Sequence, residues 1–238
     1  SSRNVSASFK YKHIRHGLFA NGMALLSWSH LPYTLAQQLY GNYAVYSYSD
    51  ADNDGKSLMA MGSLGKTLDF IRNGSCNING SYNHNKSRLI SQRQSVQSVS
   101  SDWSVSGKIN GSPWQWFNFD YTIRFFNSRL TMNKVSTPWL SAMTNELNLN
   151  FVPHSKWQWQ VCGEHYRNEL TEGTYKNIVM LDTRLIFKPT KRIELSTSLT
   201  NILDRQQYNY MTYSQLSSFE CQRQLRGRQL LFSITLRK

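Results

Sequence analysis

The chain has 238 residues, of which 39% are hydrophobic and 13% aromatic, and this composition excludes an intrinsically disordered protein. No apolar run approaches the roughly eighteen residues of a membrane-spanning helix, but a mean hydropathy of -0.52 is compatible with strands that alternate apolar and polar side chains. The 27 Lys and Arg against 14 Asp and Glu give a net charge of +13, and because these cations lie mostly in turns and at strand ends, they favour phosphate-bearing lipids over nucleic acid as partners.

Alternation of apolar and polar residues predicts about eleven strands, because successive side chains of a strand point to opposite faces of its sheet. In chain order, the predicted strands are 4–12, 17–28, 57–65, 75–87, 99–109, 114–127, 139–151, 157–168, 175–187, 193–203 and 229–236. Tight turns are predicted at 66–74, 110–113, 152–156 and 188–192, with Asn110-Gly111-Ser112-Pro113 as a strong hairpin signal. Longer polar loops are predicted at 31–56, 88–98, 129–138, 169–174 and 204–219, the first with room for a small hairpin.

The predicted strands are long, and aromatic residues gather at their ends. Many run roughly ten residues or more, whereas strands of soluble proteins average about five or six. The tryptophans near strand ends are Trp28, Trp114, Trp116, Trp139, Trp157 and Trp159. Because girdles of Trp and Tyr mark the two interfaces of a bilayer, the pattern predicts an all-β fold, a transmembrane antiparallel up-and-down β-barrel.

The carboxyl-terminal segment combines two amphipathic strands with two short motifs. Asn201-Ile202-Leu203-Asp204 follows the first of these strands, and Leu225-Arg226-Gly227-Arg228 precedes the last one. This order resembles the carboxyl end of the TonB-dependent outer-membrane receptors of Bacteroidetes-type bacteria, which have Asn-Leu-Phe-Asn and Leu-Arg-Pro-Arg at these places. Members of that family usually finish on an aromatic residue. Here Leu236 is followed by Arg237-Lys238, so either the terminal signal is degenerate or Phe232 serves instead.

The resemblance implies that residues 1–238 are the carboxyl-terminal portion of a receptor barrel of about twenty-two strands, without its plug domain and first strands. We expect the remaining strands in the same gene product or in a companion chain, because an open half-sheet would leave unpaired backbone groups in lipid. The resemblance also implies the outer membrane of a Gram-negative bacterium as the location. The implied function is import of a nutrient (a chelate, vitamin, glycan or peptide) into the periplasm, driven by TonB through the plug, with a surface lipoprotein as a candidate partner.

Two alternatives stay open beside the receptor. One is a small self-contained outer-membrane channel or outer-membrane enzyme, and the other is a soluble all-β binding domain. Closure of this chain on itself would favour the first, and burial of the apolar faces in a compact core would favour the second. No catalytic residue is identified: the G-x-S-x-G motif is absent, and the adjacent Glu164 and His165 point to opposite faces of a strand. We therefore expect no enzymatic activity.

Charged residues on the polar sides of the strands are candidates for contact with the lumen or the plug. They are Asp102, Lys108, Asp120, Arg124, Glu164 and Glu194. Because both signs of charge share one wall, these side chains need paired partners or water. They either dock a plug or line a substrate path.

Tyrosines in the predicted loops are candidates for substrate binding, because their rings offer planar surfaces with a polar tip. They are Tyr33, Tyr43, Tyr46, Tyr48, Tyr208, Tyr210 and Tyr213. Contact with a ligand or a partner lipoprotein is one interpretation, and packing of the rings against one another is the other.

Asp50, Asp52 and Asp54, followed by Gly55, match the start of a calcium-binding loop, D-x-D-x-D-G. The match then fails, because the twelfth position is Met61 where a bidentate Glu is needed. We expect no cofactor, with calcium at these three aspartates as the one metal that the pattern suggests. A polar turn is the alternative interpretation.

Overall fold

The computed structural model describes residues 1–40, 43–213 and 218–236, and within them the chain is built from β-strands. In chain order, the strands are β1 (Ser2–His13), β2 (Leu18–Leu31), β3 (Thr34–Tyr40), β4 (Tyr43–Ser49), β5 (Asn53–Leu68), β6 (Gly74–Ser91), β7 (Gln94–Trp114), β8 (Phe117–Met132), β9 (Val135–Ser136), β10 (Leu140–His154), β11 (Trp157–Thr171), β12 (Thr174–Phe187), β13 (Ile193–Thr200), β14 (Gln207–Tyr213), β15 (Ser218–Gln224) and β16 (Gln229–Leu236). A short 3-10 helix, Ile14–His16, joins β1 to β2.

Fourteen of these strands form one up-and-down sheet. Eleven follow one another in the order β1-β2-β5-β6-β7-β8-β10-β11-β12-β13-β16, each antiparallel to the next, so the predicted all-β succession is confirmed. The strands β3, β4 and β9 attach beside this path, and β14 pairs with β15 in a sheet of its own. In the described residues β1 pairs only with β2 and β16 only with β13, so the sheet is open and does not close into a barrel.

The two ends of the sheet differ in their connections. At one end, here called the turn end, the main strands are joined by residues 14–17, 69–73, 115–116, 155–156 and 188–192. The opposite end, here called the loop end, carries the β3–β4 and β14–β15 hairpins. The predicted separation into a side with short turns and a side with larger excursions is therefore confirmed in part.

The hairpin turn predicted at residues 110–113 is wrong. The turn lies at residues 115 and 116, and Asn110 is still in the ladder, where it pairs with Ser75 on one side and Asp120 on the other. A β-bulge between Gly111 and Trp114 interrupts the pairing with β8. This bulge contains the proline, which has no N–H to donate to a ladder, so the strand passes through a sequence that reads locally as a turn.

Three of the predicted long loops are also wrong, because the strands extend into them. The segments concerned are 88–98, 129–138 and 169–174. In the first two the chain reverses through Gln92-Arg93 and Asn133-Lys134, and all four residues have positive φ, from 47° to 71°. Paired positive φ values are typical of two-residue hairpin turns whose twist matches that of the flanking strands.

The small hairpin expected within residues 31–56 is present as β3–β4, and it provides part of the small core. Ala36 on β3 pairs in parallel with Ile90 on β6, which ties the hairpin to the loop end of the sheet. The Thr34 hydroxyl donates to the Ala51 carbonyl at 2.7 Å, and Thr34 is completely buried. Ala36 on this hairpin, Leu89 on β6 and Val96 on β7 are all buried, so one part of the small core lies here at the loop end.

Most apolar side chains remain uncovered. A soluble globular monomer of 27.6 kDa has about 11,000 Å² of accessible surface, whereas this chain exposes 16142 Å². The buried apolar residues among those described are Ala36, Leu89, Val96, Leu130, Leu140, Ile178 and Ile186. No second layer of the described chain packs on the sheet to form a conventional core.

Substitution of Gly74 is expected to destabilise the turn end. A Cβ at this position would lie 2.7 Å from both the Cβ and the carbonyl oxygen of Ile71, so backbone must shift. We expect Gly74→Ala to cost about 1–3 kcal/mol of unfolding free energy, as overpacking does elsewhere. Gly62→Ala is the matched control, because its Cβ would meet Asn21 at an ordinary 3.5 Å. Guanidinium unfolding of both variants in detergent tests this, and equal midpoints would contradict the close approach.

Candidate functional site

Cross-strand pairing divides the sheet into two chemically different faces, since directly paired residues share a face. One face, here called the apolar face, includes Val5, Phe9, Leu26, Leu58, Leu64, Ile78, Val105, Ile123, Phe125, Leu147, Leu149, Val161, Leu185, Leu195, Phe232 and Ile234. The other, here called the polar face, includes Asn79, Ser81, Ser104, Asp120, Arg124, Glu146, Asn148, Gln160, Asp182 and Ser196. The alternation seen in the sequence thus extends across the eleven main strands, with Asn145 and His165 as hydrogen-bonded polar residues on the apolar face.

The apolar face is exposed and is bounded by charge. Phe232 is 73% exposed and Phe9 62% exposed, although both are large apolar residues. On β5 the stretch of this face from Leu58 to Leu64 lies between Lys56 and Lys66. The ten residue steps from Lys56 to Lys66 span about 33 Å along the strand, which is about 29 Å of height for a strand tilted by about 30°.

The register of the strands supplies that tilt. A continuous row of cross-strand partners runs through Tyr11, Ala20, Leu64, Ile78, Gly107, Ile123, Asn145 and His165. On β1 the row starts at Tyr11, near the turn end, but on β11 it has reached His165, eight residues beyond Trp157 at the turn end. Because Tyr11 is two residues from His13 at that same end, the stagger is six residues. Six residues over seven strand spacings of about 4.8 Å correspond to strands tilted by about 30° from the sheet's own axis.

Most charged residues predicted on the polar face are paired with neighbours on that face. Lys108 contacts Asp120 at 2.6 Å, and Arg124 contacts Glu146 at 2.7 Å. Lys188 contacts Glu194 at 3.6 Å, and the Glu194 side chain is 15% exposed. Glu164, another of the six charged residues predicted on this face, accepts a hydrogen bond from the Tyr166 hydroxyl at 2.9 Å. These contacts neutralise much of the charge on this wall.

The hairpin β14–β15 folds back over the polar face at the loop end. Its strand β14 contacts β8, β11 and β12. The buried Asn168 side chain donates to the Asn209 carbonyl at 3.2 Å, and the Tyr208 ring lies edge-on to Tyr166 with centroids 5.4 Å apart. A polar side chain and an aromatic pair therefore fix the hairpin above the sheet.

A cavity of about 480 Å³ lies between this hairpin and the polar face. The residues that line it are Asn83, Asp102, Phe126, Ser128, Leu140, Ser141, Ala142, Thr144, Asn168, Glu169, Tyr208 and Tyr210. Asp102, Tyr208 and Tyr210 were predicted as candidate site residues from two separate patterns, and the structure brings them together here. Carboxylate, amide and hydroxyl groups beside aromatic rings suit a polar ligand that offers both hydrogen-bonding groups and a flat apolar surface.

Tyr210 has a direct neighbour on the second strand of the hairpin. It pairs with Cys221 across the β14–β15 ladder, and the hydrogen bond to the Cys221 thiol raises the pKa of the Tyr210 phenol. The phenol therefore stays protonated at neutral pH and remains available both to donate and to accept a hydrogen bond.

The other predicted tyrosines are elsewhere. Tyr33 and Tyr48 meet edge to face, with centroids 5.3 Å apart, and the Tyr46 hydroxyl accepts from Gln37 at 3.3 Å. Tyr43 is stacked on Tyr40 at 5.7 Å. These residues belong to the β3–β4 hairpin and are not in the cavity lining, so mutual packing accounts for part of this group. Tyr213 ends β14, and its side chain is outside the described residues.

The three aspartates of the calcium-like pattern do not converge in the described residues. Asp54 contacts His30 at 2.9 Å, and Asp52 contacts the other ring nitrogen of His30 at 3.8 Å. No group of three or more His, Cys, Asp or Glu residues in the described part of the chain is placed to hold a metal ion. Asp52 and Asp54 therefore both contact His30.

The two carboxyl-terminal motifs bind each other. The Asn201 side-chain amide donates to the carbonyls of Arg205 and Arg226, both at 2.8 Å. The Asp204 carboxylate accepts from the Arg228 backbone N–H at 2.9 Å, and a Cβ on Gly227 would lie only 2.9 Å from that carboxylate. We call this set of contacts the clasp. It closes the base of the β14–β15 hairpin and leads the chain into β16.

Sequence reasoning missed the polar residues that complete the cavity: Asn83, Thr144, Asn168 and Glu169. Each lies on a strand where polar residues recur, so no local signal distinguishes it from its neighbours. The cavity exists because the hairpin folds back, whereas residues 204–219 were predicted as a loop. The signal in the sequence that points to this segment is its Tyr-rich composition between the motifs at residues 201–204 and 225–228.

Glu169 is expected to order the loop end beside the cavity. It is 6% exposed, and its carboxylate accepts from the backbone N–H groups of Ser141 at 3.0 Å and Gly173 at 2.9 Å. Glu169→Ala should leave both donors unpaired and speed amide exchange at residues 139–141 and 172–174 by about 10-fold or more. Glu169→Gln, which keeps one acceptor, should have a smaller effect. Hydrogen exchange with mass spectrometry measures this, and unchanged exchange in Glu169→Ala would refute the role.

No protein-family model matches the chain, and no curated protein matches it. In the residues that the structure describes, no helix is both long enough and apolar enough to cross a membrane.

Proposed function

We propose that this chain forms part of the wall of an outer-membrane β-barrel that imports a nutrient, as TonB-dependent receptors do. The observation that carries the proposal is the apolar face. It extends over eleven strands, is exposed and is bounded by lysines on β5, and no second layer of the described chain covers it. The polar Asn145 and His165 on this face are hydrogen-bonded to each other at 3.1 Å. A belt about 29 Å high on strands tilted by about 30° is comparable in height to the roughly 30 Å hydrocarbon core of a bilayer.

The open edges support a larger barrel. The outward backbone groups of β1 and β16 have no ladder partner in the described residues. In hydrocarbon each unpaired group would cost several kcal/mol, so further strands must pair with both edges. Of the alternatives, a self-contained channel requires closure of this sheet on itself, and a soluble domain requires burial of the apolar face.

The polar face then lines the lumen. Its paired charges suit contact with water and with a polar plug, which in this family transmits the pull of TonB. The cavity under the β14–β15 hairpin is the proposed substrate contact. A surface lipoprotein would meet the β3–β4 hairpin, where Tyr43, Tyr46 and Tyr48 are each more than half exposed. No residue is assigned a catalytic role.

Fractionation of the intact gene product tests this proposal. We expect it to sediment with outer membranes, to require detergent for extraction, and to have a mass well above the 27.6 kDa of this chain. Mass spectrometry of the extracted protein gives the total size. Recovery in the aqueous fraction would refute a membrane wall, and a mature mass of 27.6 kDa would leave the receptor without a plug.

A further inference from the structure

A row of three cations and one tryptophan crosses the apolar face immediately on the loop-end side of the belt. Arg3 pairs with Trp28, Trp28 with Lys56, and Lys56 with Lys86, so these four residues on β1, β2, β5 and β6 lie side by side. We call them the cation row. The next row toward the turn end has Val5, Leu26 and Leu58 on β1, β2 and β5, so on these three strands charge changes to hydrocarbon within one step of the alternation. On β6 the corresponding residue is His84, which contacts Ser101 at 2.9 Å.

Part of the cation row lines a cavity of about 610 Å³ on this face. Arg3, Trp28 and Lys56 contribute to its wall together with the apolar Val5. The acid in the lining is Asp54, and its carboxylate contacts His30 at 2.9 Å. The cavity therefore combines cationic, aromatic and apolar surfaces, and its nearest carboxylate already has a partner.

The placement of Lys56 directly opposite Lys86 is unfavourable by itself. Like charges on paired positions of an antiparallel ladder destabilise the pairing. Lys86 is followed on the same face by Arg88, whose guanidinium donates to the Asp52 carbonyl at 3.5 Å. The cations Arg3, Lys56, Lys86 and Arg88 outnumber the neighbouring carboxylates Asp52 and Asp54, so positive charge is in excess here. An anion placed between these side chains would relieve the repulsion and accept charge-assisted hydrogen bonds.

We propose that the cation row binds the phosphate groups of a phosphate-bearing lipid whose chains lie along the belt at Val5, Leu26 and Leu58. This inference rests on the proposed function, because it requires hydrocarbon against the apolar face. The indole of Trp28 lies at the level of the headgroups, where tryptophan is enriched in membrane proteins. The row is the site at which one lipid is held against the wall in a defined position.

The test uses the intact gene product, extracted in detergent and placed in phosphatidylcholine nanodiscs, with diphosphoryl lipid A as the probe. Native mass spectrometry measures the bound lipid. The variant Lys56→Gln/Lys86→Gln should weaken binding about 30-fold, since each basic residue at a lipid surface contributes about fivefold. Lys56→Arg/Lys86→Arg should keep the affinity and shows that the site tolerates substitution. The matched control is Lys10→Gln/Lys12→Gln, which removes the same charge from the polar face and should leave binding unchanged.

Inorganic pyrophosphate separates a lipid from a free phosphate. If pyrophosphate binds as tightly as lipid A and with the same sensitivity to Lys56→Gln/Lys86→Gln, the site takes soluble phosphate and the lipid assignment is overturned. Equal affinity of Lys56→Gln/Lys86→Gln and Lys10→Gln/Lys12→Gln for lipid A would also overturn the lipid assignment. A gene product that stays in buffer without detergent would overturn the proposed function and this site together. Normal extraction combined with unchanged lipid binding would overturn the site alone.

Discussion

Replacing Leu147 with arginine is expected to lower the stability of the membrane-inserted protein by about 2–4 kcal/mol, the cost of Arg at the midplane of a lipid-facing barrel surface. Leu147 lies on β10 in the middle of the belt, is 40% exposed, and pairs with Tyr121 and Gly163. In a water-soluble protein the same change at an exposed position would cost little. Guanidinium unfolding from lipid vesicles measures the difference.

The neighbouring residue supplies the control. Asn148 is the next residue on the same strand and faces the polar side, opposite Asp120 and Cys162. Asn148→Arg adds the same charge and volume to the polar wall, close to an existing carboxylate, so we expect a change within about 0.5 kcal/mol. Equal destabilisation by the two arginines, or none from either, would show that the two faces meet the same surroundings.

Breaking the clasp is expected to have the second large effect. In Asn201→Ala the two hydrogen bonds to Arg205 and Arg226 are lost, together with the one that the Asn201 side chain accepts from the Arg205 N–H at 2.9 Å. Each contributes about 1 kcal/mol. Asn201 also has a φ of 50°, a conformation that asparagine tolerates better than alanine. We expect a total loss of about 2–4 kcal/mol and faster amide exchange in β14–β15.

Asn201→Gly separates the two contributions. Glycine adopts positive φ freely but makes no side-chain hydrogen bond, so it should be less destabilising than alanine while still releasing the hairpin. Hydrogen exchange over residues 207–213 reports the release, and denaturant unfolding reports the total cost. Native-like exchange in both variants would mean that the hairpin is held by Asn168 and the tyrosine pair and not by the clasp.

The strand succession was predictable because period-two alternation is a local signal that needs no tertiary contact. The strand 229–236 was predicted with the bounds that the structure gives it, and the face shared by Leu195 and Leu199 pairs with the face of Leu230 and Ile234. The same alternation predicted the exposed apolar face. It did not decide what that face meets, since a soluble sandwich shows the same pattern.

The errors occur where long-range pairing overrides local preference. The Asn110–Pro113 segment has turn chemistry, but partners on both sides hold it in β7 through a bulge. The segment 88–98 was taken for a loop because polar residues dominate it, although its Leu89 and Val96 pair with each other and are buried. The cavity depends on residues from six distant parts of the chain and on the fold-back of β14–β15, whose contacts with the sheet through Asn168 and Tyr166 are long-range.

Spin-label accessibility along β10 tests the central claim most directly. Cysteine is placed in turn at residues 143–151 of the intact gene product, with Cys76, Cys162 and Cys221 replaced by serine, and collision with oxygen and with a nickel chelate is measured in vesicles. We expect alternation with a period of two: oxygen reaches labels at Leu147, Leu149 and Phe151, and the nickel chelate reaches labels at Asn148 and Asn150. Labels at the apolar positions that collide freely with the nickel chelate, or that are immobilised away from both reagents, would contradict a surface that meets hydrocarbon.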